Sequence, residues 1–522
     1  MKTIPVIDLF AGPGGLGEGF AALKTTQNSN IFNVCLSVEK DKYAYKTLVL
    51  RNFFRQFNPQ HIPSMYYEYL KGRCSVQALY DTYRKQSEAA EDATWLAVLG
   101  EVSSKIVDNR IRKKINGSNL WVLVGGPPCQ AYSIVGRARL GGLNPSDPRA
   151  YLYREYLRII AEHNPPIFVM ENVKGLLSSK IGGDLIFKEM LKDLSNPSVG
   201  VFKINGNGGL NLKEIKYKIF AFSNKPKSFG EDNYPIYDPK DFIVECESYG
   251  VPQIRHRVFL LGIREDLNTK SLRLLRKRKK NIAVEDIIGS LPRIRSGLWR
   301  ENDSKNQWKN RIHDVINQNW MVELGQKVDK RLYNKIYDTV INIKSPHKDK
   351  GGSFVDGKKK INLMQYWFYD KKLKGACNHE AKSHMIDDIY RYMFVSCYGK
   401  VYNKSPLLQD FPEDLLPEHK NAKIEKSKRT IFLDRFRVQL SNKPSTTITS
   451  HIAKDGHYFI HPDPSQCRSF TVREAARLQT FPDNYFFCGP KTSQYIQVGN
   501  AVPPFIAHQI ARVVYKILKS QR

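Results

Sequence analysis

A cysteine at the end of one apolar strand, a carboxylate at the end of a second and two arginines ahead of a third supply a nucleophile, an acid and a cationic hydrogen-bond donor. The cysteine is Cys129, within Gly125-Gly126-Pro127-Pro128-Cys129-Gln130. The carboxylate is Glu171, within Glu171-Asn172-Val173, and the arginines are Arg255 and Arg257, within Gln253-Ile254-Arg255-His256-Arg257. Cysteine is the side chain most nucleophilic near neutral pH, and its thiolate forms covalent intermediates. A buried carboxyl has a raised pKa, so it carries a proton it can lend to a substrate. A lone free cysteine is more often a small buried hydrophobe, so the reading rests on the three blocks together.

The elements that must position these residues read as a series of βα units. Leu120-Trp121-Val122-Leu123-Val124 has the length and composition of a buried strand, ended abruptly by two glycines and two prolines. Cys129 therefore follows the carboxyl end of a strand, where open α/β sheets bind ligands. Upstream, Val6-Ile7-Asp8-Leu9-Phe10 is a short strand running into the turn Ala11-Gly12-Pro13-Gly14-Gly15-Leu16-Gly17, which satisfies GxGxxG and opens a helix. The strand Val34-Cys35-Leu36-Ser37-Val38 ends in Glu39, about 20 residues on, placed to accept hydrogen bonds from ribose hydroxyls. Gly100-Glu101-Val102 offers another acidic strand end. Residues 51–99 are aromatic, polar and helix-prone, and longer than a βα connection needs, which predicts an inserted helical segment. Residues 131–146, rich in Gly, Ser and Arg and including Ser133, Arg137 and Arg139, suit a loop that closes over a substrate. Helices are expected over 151–163 and 187–194 and strands over 167–170 and 258–263, the last closing the repeats. The fold class predicted is α/β, a doubly wound and mostly parallel sheet, with a second, smaller domain.

Composition bounds the partners. The 522 residues are 41% hydrophobic and 11% aromatic, enough for two or three folded domains, and the longest apolar runs are strand-sized, too short to span a membrane. The eight cysteines form no CxxC pair, which argues against a disulfide framework and fits a reduced, cytoplasmic setting. Cys377, His379 and His384 make the nearest approach to a metal cluster and read as ordinary structure, so no metal is expected. A formal charge of +31 favours a polyanionic partner, nucleic acid first. The run Arg273-Leu274-Leu275-Arg276-Lys277-Arg278-Lys279-Lys280 opens a stretch of about 160 residues of mixed, basic sequence without βαβ rhythm, in which Trp299, Trp308, Trp320 and Trp367 are interleaved. Such a run suits phosphates and bases, or is simply a solvated face.

Six ordered blocks resemble the DNA (cytosine-5) methyltransferases. Asp8-Leu9-Phe10-Ala11-Gly12-Pro13-Gly14-Gly15 is similar to that family's cofactor loop, Pro128-Cys129-Gln130 to its nucleophile block, Glu171-Asn172-Val173 to its acid block and Gln253 to Arg257 to its QxRxR block. Arg473-Glu474-Ala475-Ala476-Arg477-Leu478-Gln479-Thr480-Phe481-Pro482 and Gly499-Asn500-Ala501-Val502-Pro503-Pro504 are similar to its last two. The resemblance implies S-adenosylmethionine as cofactor, with Phe10, Gly12, Pro13 and Gly14 as its loop, Glu39 as ribose ligand and Glu101 at the adenine amine. Pro128, Leu152, Asn500 and Val502 complete that pocket. At Glu101 the family usually has Asp.

The same resemblance implies a catalytic set of Cys129, Gln130, Glu171, Asn172, Arg255 and Arg257, acting on C5 of a cytosine flipped out of double-stranded DNA through a covalent bond from Cys129 to C6. It implies a catalytic domain over 1–264, a target recognition domain over 265–430 and a return segment over 431–522 that completes the catalytic domain. With the cofactor block beginning within ten residues of Met1, the chain is expected to be a stand-alone prokaryotic modification enzyme, cytoplasmic, associated with the nucleoid through DNA, and monomeric. It would share its site with a cognate restriction endonuclease without forming a stable complex with it. A tRNA cytosine-5 methyltransferase and an inert DNA-binding relative are the alternatives; a dinucleotide oxidoreductase would leave five of the six blocks unexplained.

Overall fold

The structure, a computed structural model, describes residues 3–127, 148–181, 184–205, 213–357, 361, 363–417 and 433–521. Pro128, Cys129, Gln130, Ser133, Arg137 and Arg139 lie outside the described residues. The chain divides into two compact units. The first comprises Met1–His61, Tyr80–Lys280 and Ala501–Arg522, the second Ile62–Leu79 and Asn281–Asn500. These boundaries differ from those expected: 431–500 belongs to the second unit, and only the last 22 residues return to the first.

The first unit is built on one sheet. Its strands are β1 (Ile4–Leu9), β2 (Phe32–Glu39), β3 (Thr94–Leu96), β4 (Val122–Gly125), β5 (Ile167–Val173), β6 (Tyr217–Phe220), β7 (Ile243–Glu245) and β8 (His256–Arg264). The order is β7-β8-β5-β4-β1-β2-β3, with β6 also on β8. β1 to β5 are mutually parallel, whereas β8 runs antiparallel to β5. The strand expected to close a set of βα repeats is therefore reversed, which a short connection from β7 permits. β3 lies within the expected insert, so the inserted helices end by Asp92.

Alternate residues of each strand enter two cores, as a sheet covered on both faces requires. Val6, Val34, Val124, Val169 and Phe259 face the helices α1 (Gly15–Ala21) and α3 (Pro504–Lys519). Ile7, Leu36, Leu123, Met170 and Leu260 face Leu157 and Ile160 of the helix Pro148–His163. Between the two comes α2 (Lys42–Arg55), whose N-cap Asp41 accepts hydrogen bonds from the amides of Tyr43 and Ala44.

The second unit has its own core, formed by Trp308, Trp320, Ile336, Met393 and Phe394 on helices within 305–402. Trp308 and Trp320 are thus packing residues, not surfaces for stacking on bases, while Trp299 is exposed with Arg300 over its ring at 4.1 Å. Cys377 and His379 are buried here as well. His379 is bonded through Nδ1 to Thr471 Oγ1 (2.9 Å) and through Nε2 to the Pro292 carbonyl (2.8 Å), and burial holds its pKa down at about 4. Among the described residues no group of three or more metal-ligating side chains occurs, and no helix is long and apolar enough to cross a membrane.

In the first unit α1 and α3 pack backbone to backbone, since a Cβ at Gly19 would overlap Ala507 and the backbone of His508. Gly19→Ala should therefore separate the two helices and lower stability by roughly 1 to 3 kcal/mol, the usual cost of overpacking. Urea denaturation measures this; an unchanged midpoint would mean that α3 does not lie on α1.

Candidate active site

The glycine turn is set by backbone geometry. β1 ends at Leu9, and Phe10 has φ 55°, rare for a bulky residue and a strain that clusters at functional positions. Gly12 and Gly14 follow at φ 57° and 93°, conformations glycine adopts without penalty. Glu39, at the end of the neighbouring β2, spans the turn: Oε2 accepts from Gly12 N at 2.8 Å and Oε1 from Asp41 N at 2.8 Å. Burial raises its pKa and these amides lower it, leaving a net rise. Each carboxylate oxygen keeps a second lone pair. A Cβ on Gly12 would meet no atom of the described residues within 4 Å, so these leave open space above the turn beside Glu39.

The second cluster stands at the carboxyl end of β5. Register pairs Phe259 with Glu171, Val258 with Asn172 and Arg257 with Val173, and Arg257 Nε lies 3.1 Å from Glu171 Oε1 with both side chains largely buried. Burial pushes the Glu171 carboxyl up, Arg257 and Arg255 pull it down, and burial prevails. Arg255 is fully buried, and its Nη2 donates to the Ala501 carbonyl at 2.9 Å. Burial, with Arg257 beside it, lowers its pKa to about 9. Arg257 Nη1 donates to the His256 carbonyl at 2.8 Å, and His256 Nε2 is paired with Glu247 at 2.7 Å. Asn172 Nδ2 donates to the Pro127 carbonyl at 3.4 Å, tying the acid block to the residue two before Cys129.

The structure thus brings together Phe10, Gly12, Pro13, Gly14 and Glu39 in one group and Glu171, Asn172, Arg255 and Arg257 in another, both at the carboxyl edge of the sheet. Val502 is buried, and its carbonyl occupies the space a Cβ on Gly15 would need. Leu152 is half-buried on the helix Pro148–His163. Asn500 is exposed at the end of the helix Lys491–Asn500, in the second unit. Glu101 is exposed, in a turn five residues beyond β3, and so is not a strand end.

Three residues were not singled out by sequence reasoning. Asp8, buried in β1, accepts from Gly17 N through Oδ2 at 3.1 Å, while its Oδ1 has no partner among the described residues. Burial raises its pKa to about 7. The signal was present, as a carboxylate inside the apolar run Ile4-Pro5-Val6-Ile7-Asp8-Leu9 marks a buried polar group. Glu18 of α1 is buried against Arg51 and Arg55; although burial pushes its pKa up, the two guanidiniums prevail and hold it down at about 2. Gly126 is the third: a Cβ there would stand 2.9 Å from Glu171 Oε2, so its absence leaves room for the carboxyl.

A family model described as C-5 cytosine-specific DNA methylase matches residues 93–201 and 216–516. The chain is similar to the type II methyltransferase M.Bpa9945I of Bacillus paralicheniformis, 30% identical over 536 residues that cover 98% of this chain and 99% of the relative. M.DdeI of Desulfomicrobium norvegicum is 25% identical, with 97% and 87% covered. The DNA (cytosine-5-)-methyltransferase M.ApeKI of Aeropyrum pernix is 26% identical, with 77% and 83% covered.

Asp8 makes stability depend on pH in a definite direction. Its carboxyl is neutral in both folded and unfolded chains at low pH. As pH rises the unfolded chain loses this proton first, from 3.8, and the folded chain only near 7, so the wild type loses stability across that window. Asp8→Asn keeps the size and an oxygen for Gly17 N but cannot ionise. Urea midpoints of the two proteins should diverge between about pH 4 and 7, in favour of the variant, and then run parallel. A difference independent of pH would show that Asp8 ionises as easily folded as unfolded.

Proposed function

The chain belongs to the C-5 cytosine-specific DNA methylase family, and from that membership we propose which residues perform its reaction, methylation of C5 of cytosine in DNA with S-adenosylmethionine as donor. When bound, S-adenosylmethionine supplies an electrophilic methyl group. The glycine turn fits it: the space above Gly12 admits a ligand backbone, and Glu39, already oriented by two amides, has lone pairs left for two ribose hydroxyls. Phe10, Pro13, Gly14, Leu152 and Val502 would line the same pocket, with Pro128 and Asn500 carried over from the family pattern. Glu101 is assigned to the adenine amine on that pattern alone.

Cytosine C5 is too weak a nucleophile to react unaided. Cys129, as the thiolate, adds to C6; the electron pair of the C5–C6 bond moves into the ring, and C5 becomes enamine-like. Glu171 supplies a proton to N3 as negative charge develops there and accepts from the exocyclic amine. Arg257 donates to O2, and Arg255 holds the turn through the Ala501 carbonyl. Asn172 positions the nucleophile block through Pro127, and Gln130 is assigned with it. After the methyl group is on C5, N3 returns its proton to Glu171, the C5 proton leaves to a base, the C6–S bond breaks and the thiolate is regenerated. The buried Glu171 carboxyl beside Arg257, with Gly126 leaving room for it, supports this reading best.

We further propose that the substrate is a specific double-stranded sequence and that the enzyme is the modification component of a restriction-modification system, as the names of its relatives suggest. It would work as a cytoplasmic monomer, beside an endonuclease that acts on the same site. A duplex carrying 5-fluorocytosine at the target tests the roles, because fluorine cannot leave C5 as a proton. The wild type should form a stable adduct that maps to Cys129, and Cys129→Ser should form none. Glu171→Gln should trap about 100-fold more slowly or worse, the scale of a lost general acid. Wild-type turnover should fall as pH rises through the elevated Glu171 pKa, where the neutral carboxyl is lost. An adduct on another cysteine would overturn the assignment; faster methylation of tRNA than of duplex DNA would overturn the substrate.

A further inference from the structure

At the edge of the first unit opposite Glu171 and Arg257 lies an open pocket of about 460 Å³, lined by Ser271, Arg273, Lys516, Lys519 and Ser520. Its position follows from the strands. β8 begins at the carboxyl end of β5 and finishes at its amino end, where Arg264 N donates to the Pro166 carbonyl. Asn268 N then donates to Gln521 Oε1 (3.1 Å) and Gln521 Nε2 to the Asn268 carbonyl (2.9 Å), clasping this segment to the residues just after α3. α3 starts beside the glycine turn and has 16 residues, so it carries Lys516 and Lys519 about 20 Å away from the cofactor edge.

Among the described residues no carboxylate lies within ion-pair distance of Arg273, Lys516 or Lys519, whereas nearby Arg264 is paired with Asp266 at 2.7 Å. Placement in the last turn of a helix favours Lys516 and Lys519 through the helix dipole, but it does not explain why Arg273 converges on them from another segment. Arg273 is also fixed in place: its Nη1 donates to the carbonyls of Lys270 (3.1 Å) and Leu272 (3.0 Å), leaving Nε and Nη2 for a ligand. Ser271 adds a hydroxyl donor, while the Ser520 hydroxyl donates to the Ile517 carbonyl at 2.8 Å. From the pocket the chain continues as an extended strap. Leu275 is buried as its pin, Leu275 N and Arg278 N are held by the carbonyls of Phe222 and Ser248, and Arg276, Lys277, Arg278, Lys279 and Lys280 are exposed.

We infer that this pocket binds a backbone phosphate of duplex DNA, and that the strap extends the contact along the same strand, so that the enzyme holds a second, non-target segment while the first occupies the catalytic edge. The continuous row of cations leading away from the pocket favours a polymer over a single phosphorylated metabolite. Duplex DNA is stiff, so the short stretch at the catalytic edge does not also reach the opposite edge. The inference rests on DNA being the substrate.

The test counts short duplexes bound per enzyme at low salt by native mass spectrometry and measures methylation of the same duplexes. The wild type should bind two. The triple variant Arg273→Gln, Lys516→Gln, Lys519→Gln should bind one and methylate it at the wild-type rate, which also reports that it folds. On long DNA the variant should bind at least about tenfold more weakly, with a log–log salt slope shallower by about 2.7, the value for three lost phosphate contacts. Lys519→Gln alone, at an exposed position, should lose part of the effect. One duplex on the wild type, or two on the triple variant, overturns the inference. Titration with pyrophosphate separates the sources of phosphate: tight binding that the triple variant loses, with only one duplex on the wild type, would assign the pocket to a small phosphorylated ligand instead. Failure of the wild type to methylate any duplex would refute the DNA substrate itself.

Discussion

The reversed strand β8 is the constraint on which the candidate site depends. Parallel strands all begin at the amino edge of a sheet, so residues that precede them lie far from the edge where ligands bind. β8 alone starts at the carboxyl edge of β5, and its first residues, with the turn before them, arrive beside Glu171. A parallel β8 would carry Arg255 and Arg257 to the opposite side. With the strand reversed, a guanidinium comes within 3.1 Å of a carboxyl that burial keeps easier to protonate than usual. That balance suits a group proposed to hold a proton and return it: a stronger ion pair would fix Glu171 as an anion, and a drier site without arginine would leave it permanently neutral.

A second constraint ties the two ends of the chain together. The glycine turn cannot be completed by the residues around it, because the carbonyl of Val502 packs where a side chain on Gly15 would be, and Ala507 lies against Gly19. Ala501 also accepts the hydrogen bond of Arg255. One short returning stretch, 501–507, therefore braces both the proposed cofactor turn and the proposed arginine cluster. Substitutions there would be felt at both, although none of these residues carries chemistry of its own.

Much of this was legible in the sequence because strand ends are. Apolar runs stopped by glycine, proline or a carboxylate located β1, β2, β4 and β5, and their order placed Glu39 and Glu171 at one edge. The direction of β8 was not legible, since an apolar run of six residues reads the same parallel or antiparallel. Nor was the origin of the insert: β3 is three residues long, too short to stand out from the helical residues before it. Trp308 resembled a surface aromatic because Lys305, Lys309 and Arg311 surround it in sequence; on a helix those neighbours are free to point to solvent while the indole points inward. The apolar run around Asp8 marked it as buried, but its contact with the Gly17 amide, like the room that Gly126 leaves for Glu171, depends on the folded geometry.

The cations of this chain divide by whether the protein supplies their acceptors. In the block at 473–482 both arginines are buried and satisfied: Arg473 donates to the carbonyls of Cys377 and Pro482 and Arg477 is bidentate to Asp483, while Arg468, just before the block, is bidentate to Glu474, which also caps its own helix. Removing one partner of such a pair leaves a buried charge uncompensated, at about 3 to 5 kcal/mol. A charged motif satisfied in this way frames the second unit and need touch no substrate. Arg273, Lys516 and Lys519 are the opposite case, converging from two segments on a pocket where no carboxylate among the described residues pairs with them. Like charges held together at a surface repel one another, and an anion from outside would relieve the repulsion that the described residues leave uncompensated here.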